Sequence, residues 1–199
     1  TIRLHTDQNE KWLHVLFNHE MLHAVSGRTI IAETSLENVE EQDDEDEMDP
    51  AFFHRRMGLQ LFKRDGKGSL FVWMNEAITE YLATIFSFGD RDQDPTDPAT
   101  IDLHLRHSFS EYNDERELLK LLLTRGKTTV DFVSVLRAYF ENYNPSDPKE
   151  RRMKAWREMV QQIHKAYTPG FLRDIDQYVS AHGVEATVRV MRDDPSKIR

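Results

Sequence analysis

Residues 18–23, with the sequence Asn-His-Glu-Met-Leu-His, constrain the fold more than any other feature of the chain. Side chains four residues apart lie one above the other on a helix face, so His19 and His23 come together only if this segment is an α-helix. Asp7 and Glu10 form the pattern of a capping box. Apolar residues then recur at helical spacing, at Trp12, Val15, Leu16, Leu22 and Val25. The sequence therefore predicts a helix with residues 18–23 near its middle.

The same residues form the pattern H-E-x-x-H, which is typical of catalytic zinc sites. Two histidines on one helix face also occur as hydrogen-bonded groups of a protein core, which is the alternative interpretation. A catalytic zinc site has three protein ligands and one open position, so a third ligand must come from elsewhere in the chain. Metzincins use a third histidine further along the same motif, but Thr29 occupies that position and Ser26 replaces the glycine that the motif requires. The metzincin pattern is therefore excluded.

A second amphipathic segment, residues 73–81, carries Glu76 and Glu80 one helical turn apart. Its triplet Asn75-Glu76-Ala77 resembles the zinc-ligand helix of the gluzincins, the branch of zinc metallopeptidases that includes thermolysin and the zinc aminopeptidases. The resemblance implies that Glu76 is the third zinc ligand and that Glu80 orients a ligating histidine without binding the metal. Asn75 is then expected to cap its helix or to brace the ligands.

The resemblance covers two segments, residues 12–27 and 72–83, and the chain between them is longer than in the better-known gluzincins. This interval leaves room for an inserted hairpin and loop. Glu80 and His54 are the alternative third ligands.

The function that the resemblance implies is a zinc-dependent peptidase in which Glu20 acts as general base on a water molecule. Gluzincins also present a Tyr or His to the oxyanion of the tetrahedral intermediate. The candidates for this role are His104, His107 and Tyr112, of which we choose Tyr112. Three arginines are candidates to hold a substrate carboxylate: Arg55, Arg56 and Arg106.

The competing hypothesis is a non-catalytic helical interaction protein that retains a structural metal site. Structural zinc sites normally have four protein ligands, whereas the pattern here supplies three. The chain has no cysteine, so any metal must be held by His, Asp and Glu side chains.

The net charge of −9 argues against nucleic-acid binding, which needs a basic surface. Residues 37–49 contain nine acidic residues and no basic one, and such a run is typical of a solvated loop. The sequence contains neither a signal sequence nor an apolar stretch of about 18 residues, which favours the cytoplasm and argues against membrane insertion. A peptide or protein substrate is the expected partner, and nothing in the sequence indicates the oligomeric state.

The remaining pattern predicts a helix-rich α+β fold. Residues 2–5 are expected to form a strand, and residues 57–63 and 70–73 a hairpin around Asp65-Gly66 that leads into the second helix. A zincin-like core with a small sheet over the first helix is assigned to residues 1–89. A helical subdomain that completes the cleft is assigned to residues 99–199. Its predicted helices contain residues 118–122, residues 130–140 after Thr128 or Thr129, a segment from Asp147-Pro148 through Met153 to Tyr167, and a segment from Thr168-Pro169 to Gly183.

Overall fold

The computed structural model describes residues 10–30, 55–62, 68–88, 112–142 and 153–198, and most of these described residues are helical. The described helices are α1 (Glu10–Val25), α2 (Val72–Phe88), α3 (Asn113–Thr124), α4 (Phe132–Phe140), α5 (Lys154–Ala166), α6 (Phe171–His182) and α7 (Val184–Asp193), followed by a 3-10 helix at Pro195–Lys197. The strands are β1 (Arg28–Ile30), β2 (Arg55–Met57), β3 (Gln60–Phe62) and β4 (Ser69–Leu70). The predicted helix-rich α+β class is confirmed. The predicted strand at residues 2–5 and the acidic run at residues 37–49 lie outside the described residues.

The four strands form one antiparallel sheet in the order β1-β2-β3-β4. Met57 pairs with Gln60, so β2 and β3 are joined by a two-residue turn at Gly58 and Leu59. Gly58 has a φ of +57°, a left-handed conformation that glycine adopts without steric cost. The predicted single strand at residues 57–63 is therefore wrong, because this turn divides it. The hairpin of β3 and β4 is confirmed, although its predicted turn at Asp65-Gly66 lies outside the described residues.

Phe71 ends β4 earlier than the sequence predicts. Its φ of +58° is left-handed, which is rare for a bulky residue, and α2 begins at the next position. The carbonyl of Phe71 accepts the N–H of Asn75 at 3.1 Å. Its own N–H donates to Oδ1 of the buried Asp176 at 2.7 Å. The start of α2 is thus held by a carboxylate of α6.

Helix α1 packs along α2, and the two run antiparallel. Asn18 donates to the hydroxyl of Ser87 at 2.9 Å near the end of α2, whereas His23 lies beside Asn75 near its beginning. The sheet reaches α2 through β3. This packing brings the two predicted metal-binding segments face to face, and the position of the sheet over α1 stays a prediction.

The C-terminal helices confirm part of the predicted pattern and correct its boundaries. Helix α3 buries the predicted leucines, and α6 ends before Gly183 as expected. Helix α4 is capped by Asp131, whose side chain accepts from the N–H of Val133, and not by Thr128 or Thr129. The predicted helix from Met153 to Tyr167 is confirmed as α5 over Lys154–Ala166, but Met153 is not part of it and has a φ of +53°. Its predicted start at Asp147-Pro148 lies outside the described residues. Helix α7 was not predicted.

One cluster of buried apolar residues extends from Val15 in α1 to Ile198. It includes residues from both parts of the predicted two-domain division, which stays a prediction. Among the described helices, none has the length and apolar character needed to cross a membrane.

Candidate metal centre

Three predicted metal ligands meet where α1 packs on α2. Nε2 of His19 lies 3.0 Å from Nε2 of His23 and 3.2 Å from Oε2 of Glu76. The third side of this triangle, from Nε2 of His23 to Oε2 of Glu76, is 3.3 Å. Helical spacing aligns the two histidines on α1, and the antiparallel packing of α2 places Glu76 opposite them. Among the described residues, these are the three side chains whose arrangement suits a metal ion.

The size of this triangle fits a tetrahedral zinc ion. With bonds of about 2.0 to 2.1 Å, two ligand atoms of a tetrahedral site are separated by about 3.3 to 3.4 Å. The observed separations of 3.0 to 3.3 Å are slightly shorter than this spacing. Two imidazole nitrogens and one carboxylate oxygen are also a ligand set that zinc commonly takes in proteins. The residues present therefore fit the metal that the resemblance implies.

Hydrogen bonds within the cluster shift the pKa values of two of its members in opposite directions. Burial opposes a charge on His19, but hydrogen bonds to Glu76 and Glu80 outweigh it and raise the pKa of His19 to about 9. Burial likewise opposes the charge of Glu76, but hydrogen bonds from His19 and His23 lower the pKa of Glu76 to about 2. Without a proton or a cation between them, lone pairs that face one another at about 3 Å would repel.

Glu80 occupies the place that the resemblance gives it. Its Oε2 lies 3.0 Å from Nδ1 of His19, the ring nitrogen that points away from the triangle, and only 3% of Glu80 is exposed. A carboxylate on this nitrogen keeps the proton there and leaves Nε2 free to bind a metal. Glu80 therefore lies on the side of His19 that faces away from the triangle, whereas Glu76 faces the Nε2 atoms of both histidines.

Asn75 lies inside α2 and does not cap it. Its Oδ1 accepts the backbone N–H of Leu59 at 2.9 Å, and its Nδ2 lies 3.5 Å from Nδ1 of His23, at the outer limit of a hydrogen bond. Asn75 is fully buried. It connects the turn between β2 and β3 to α2, and its role as a brace for the metal ligands stays a prediction.

The first turn of α3 covers the cluster from another side. The ring of Tyr112 stacks on the ring of His19, with 5.5 Å between the ring centroids and 12° between the planes. Burial raises the pKa of Glu115, and the negative charges of Asp114 and Glu76 act in the same direction. Arg116 is completely buried, and burial lowers its pKa, whereas the charge of Glu80 opposes that shift. Glu115 and Arg116 were not predicted, although their spacing of three and four residues from Tyr112 places them on the same side of the helix.

Glu20 lies in α1 directly after His19 and is half-buried. One residue along a helix is a rotation of about 100°, so Glu20 borders the face that carries the two histidines. Its assignment as general base stays a prediction.

Other candidates from the sequence are not part of the described site. His54, His104, His107 and Arg106 lie outside the described residues, and so does the side chain of Arg55. Arg56 is only 1% exposed and donates hydrogen bonds to the carbonyls of Ala138 and Glu141. It is therefore not available to a substrate carboxylate.

In comparisons with known proteins, no family model matches the chain, and neither the curated proteins nor the solved structures contain a significant match. The functional interpretation therefore depends on the geometry of the cluster and on the two sequence motifs.

Proposed function

We propose that the chain is a zinc-dependent metallopeptidase of the gluzincin type, with a zincin-like core around α1 and α2. The observation that carries this proposal is the triangle of His19, His23 and Glu76, whose three ligand atoms are 3.0 to 3.3 Å apart. Glu80 supports it, because a carboxylate behind a ligating histidine is the usual companion of a metal site.

Each residue then has a distinct task in hydrolysis. When bound, Zn²⁺ supplies Lewis acidity, which lowers the pKa of a coordinated water to roughly 7 and polarises a substrate carbonyl. The carboxylate of Glu20 accepts a proton from the attacking water and delivers it to the leaving amine nitrogen. Tyr112, which is half-buried beside His19, is the proposed donor to the oxyanion. The proposed substrate is a peptide or protein.

The first test measures zinc content and peptide cleavage with the same preparation. We expect about one zinc per chain, which His19→Ala or His23→Ala abolishes, and cleavage of at least one member of a peptide library. His14→Ala is the matched control, because His14 lies on the same helix but is exposed, so it should leave zinc content unchanged. Full zinc retention in either ligand variant under chelator competition would contradict the assignment.

The second test separates catalysis from metal binding. Glu20→Gln keeps the shape of the side chain but cannot accept a proton, so it should retain zinc and lose cleavage. Equal turnover in the wild type and this variant would show that Glu20 is not the base. A chain that binds zinc and cleaves no peptide would favour the alternative of an interaction protein with a structural metal site.

A further inference from the structure

The backbone of Phe71 turns the chain from β4 into the helix that carries Glu76. Its φ of +58° lies in the left-handed region, which is sterically unfavourable for a residue with a large side chain. The ring of Phe71 is buried and packs against Trp156, with 5.8 Å between the ring centroids. A backbone conformation of this kind persists only where the surrounding structure holds it.

A buried carboxylate of α6 holds this backbone. Oδ1 of Asp176 accepts the N–H of Phe71 at 2.7 Å, and only 5% of Asp176 is exposed. A hydrogen bond to an ionised acceptor is about twice as strong as one between neutral groups. Because the contact is buried, an N–H that lost this acceptor would be left without a partner. Asp176 thus fixes the chain at the residue from which α2 starts.

Two short steps connect Phe71 to the metal centre. The carbonyl of Phe71 accepts the N–H of Asn75 at 3.1 Å, and Glu76 is the next residue of α2. Oε2 of Glu76 lies 3.2 Å from Nε2 of His19 and 3.3 Å from Nε2 of His23. A change in the φ of Phe71 alters the direction in which the chain enters α2. It therefore also alters the position of Glu76 opposite the histidines.

We propose that Asp176 is a positioning residue of the metal centre and acts through the backbone of Phe71. Its carboxylate holds the left-handed conformation, and this conformation sets the start of α2 and the position of Glu76. The inference rests on the proposed function, because it requires that the triangle binds a metal ion.

The first experiment measures zinc affinity by competition with a chromophoric chelator, which does not depend on catalytic activity. Asp176→Ala should weaken zinc binding by about 5- to 30-fold, the population ratio that corresponds to the steric cost of one left-handed residue. Asp176→Asn keeps an acceptor oxygen and should recover most of this loss. Glu141→Ala is the matched control, because the carboxylate of Glu141 also accepts backbone N–H groups at a helix start, those of Ala155 and Trp156 in α5. Helix α5 carries no proposed ligand, so this variant should leave the zinc affinity of the folded protein unchanged.

A pair of substitutions at Phe71 tests whether Asp176 acts through this backbone. Phe71→Ala and Phe71→Gly both remove the ring, but only glycine adopts a positive φ without steric cost. Asp176→Ala should therefore still weaken zinc binding by about 5- to 30-fold in the Phe71→Ala background. In the Phe71→Gly background, the loss should be about threefold or less. The visible spectrum of the cobalt-substituted protein gives a second readout, because displacement of the carboxylate ligand shifts its ligand-field bands, whereas a loss of stability alone does not.

The outcomes separate the two proposals. Only variants with the far-UV circular dichroism of the wild type are compared, and Asp176→Leu, which fills a similar volume without an acceptor, replaces Asp176→Ala if the latter does not fold. Wild-type protein that binds no zinc would remove the proposed function and this inference together. Wild-type protein that binds zinc, with an unchanged affinity in the variant without the acceptor, would overturn the positioning role alone. An equal loss of affinity in the Phe71→Ala and Phe71→Gly backgrounds would also overturn it.

Discussion

Asn75→Ala tests whether the buried amide braces the ligand helix. Oδ1 of Asn75 is the acceptor for the N–H of Leu59 at 2.9 Å, and both residues are completely buried. Removing the acceptor leaves a buried N–H without a partner, which costs about 1 to 3 kcal/mol. At about 2 kcal/mol, the expected fall in Tm for a chain of this length is about 4 to 8 °C.

The assay is urea denaturation followed by circular dichroism, with a chelator present so that zinc does not contribute to the free energy of unfolding. Gln60→Ala is the control, because Gln60 also makes an amide hydrogen bond in the same sheet, to Ser69 at 3.0 Å, but is only half-buried. Water can replace that bond, so its loss should cost about 0.5 kcal/mol or less. If Asn75→Ala costs no more than Gln60→Ala at an unchanged m-value, Asn75 is not a brace.

Three further predictions concern the ligands, the pH dependence and the turn beside Asn75. Glu80→Gln should weaken zinc binding by about 10- to 100-fold, and Glu76→Gln should weaken it more. If a chelator titration gave the reverse order, Glu80 would be the ligand and Glu76 the residue behind it. With a chelator present, the free energy of unfolding should fall as the pH rises from about 6.5 to about 9. The folded protein raises the pKa of His19 from 6.5 to about 9, so the protonated ring stabilises the fold fully below pH 6.5, and this stabilisation is lost as the pH passes 9. His19→Gln should flatten this slope, and a slope that persists in the variant would contradict the prediction. Gly58→Ala should be destabilising by more than about 1 kcal/mol in urea, because its Cβ would clash with Oδ1 of Asn75 at a φ of +57°. A neutral result would show that the turn relaxes easily.

The parts of the fold that the sequence predicted are those with local signals. The spacing of His19 and His23, the apolar pattern of α2 and the glycine after α6 each depend on neighbouring residues, and each lies in the expected element. Helix α7 also had a local signal, because Val184, Val188 and Met191 recur at helical spacing.

The missed features depend on residues that are distant in sequence. Phe71 and Met153 are left-handed without being glycine or asparagine, so no rule based on residue type predicts them. Phe71 is held there by Asp176, and Tyr112 stacks on His19, a residue 93 positions earlier in the chain. In the candidate site, the motifs identify the triangle, whereas the residues that surround it come from tertiary structure.

The hydrogen bond between Phe71 and Asp176 can form only after the ribosome has added both residues. The two residues are 105 positions apart. At about 5 to 20 residues per second, the ribosome adds Asp176 roughly 5 to 20 s after Phe71. His19, His23 and Glu76 are therefore all synthesised well before the group that holds the start of α2 exists. The nascent chain therefore carries all three proposed metal ligands during that interval, before the hydrogen bond at the start of the helix that carries Glu76 can form.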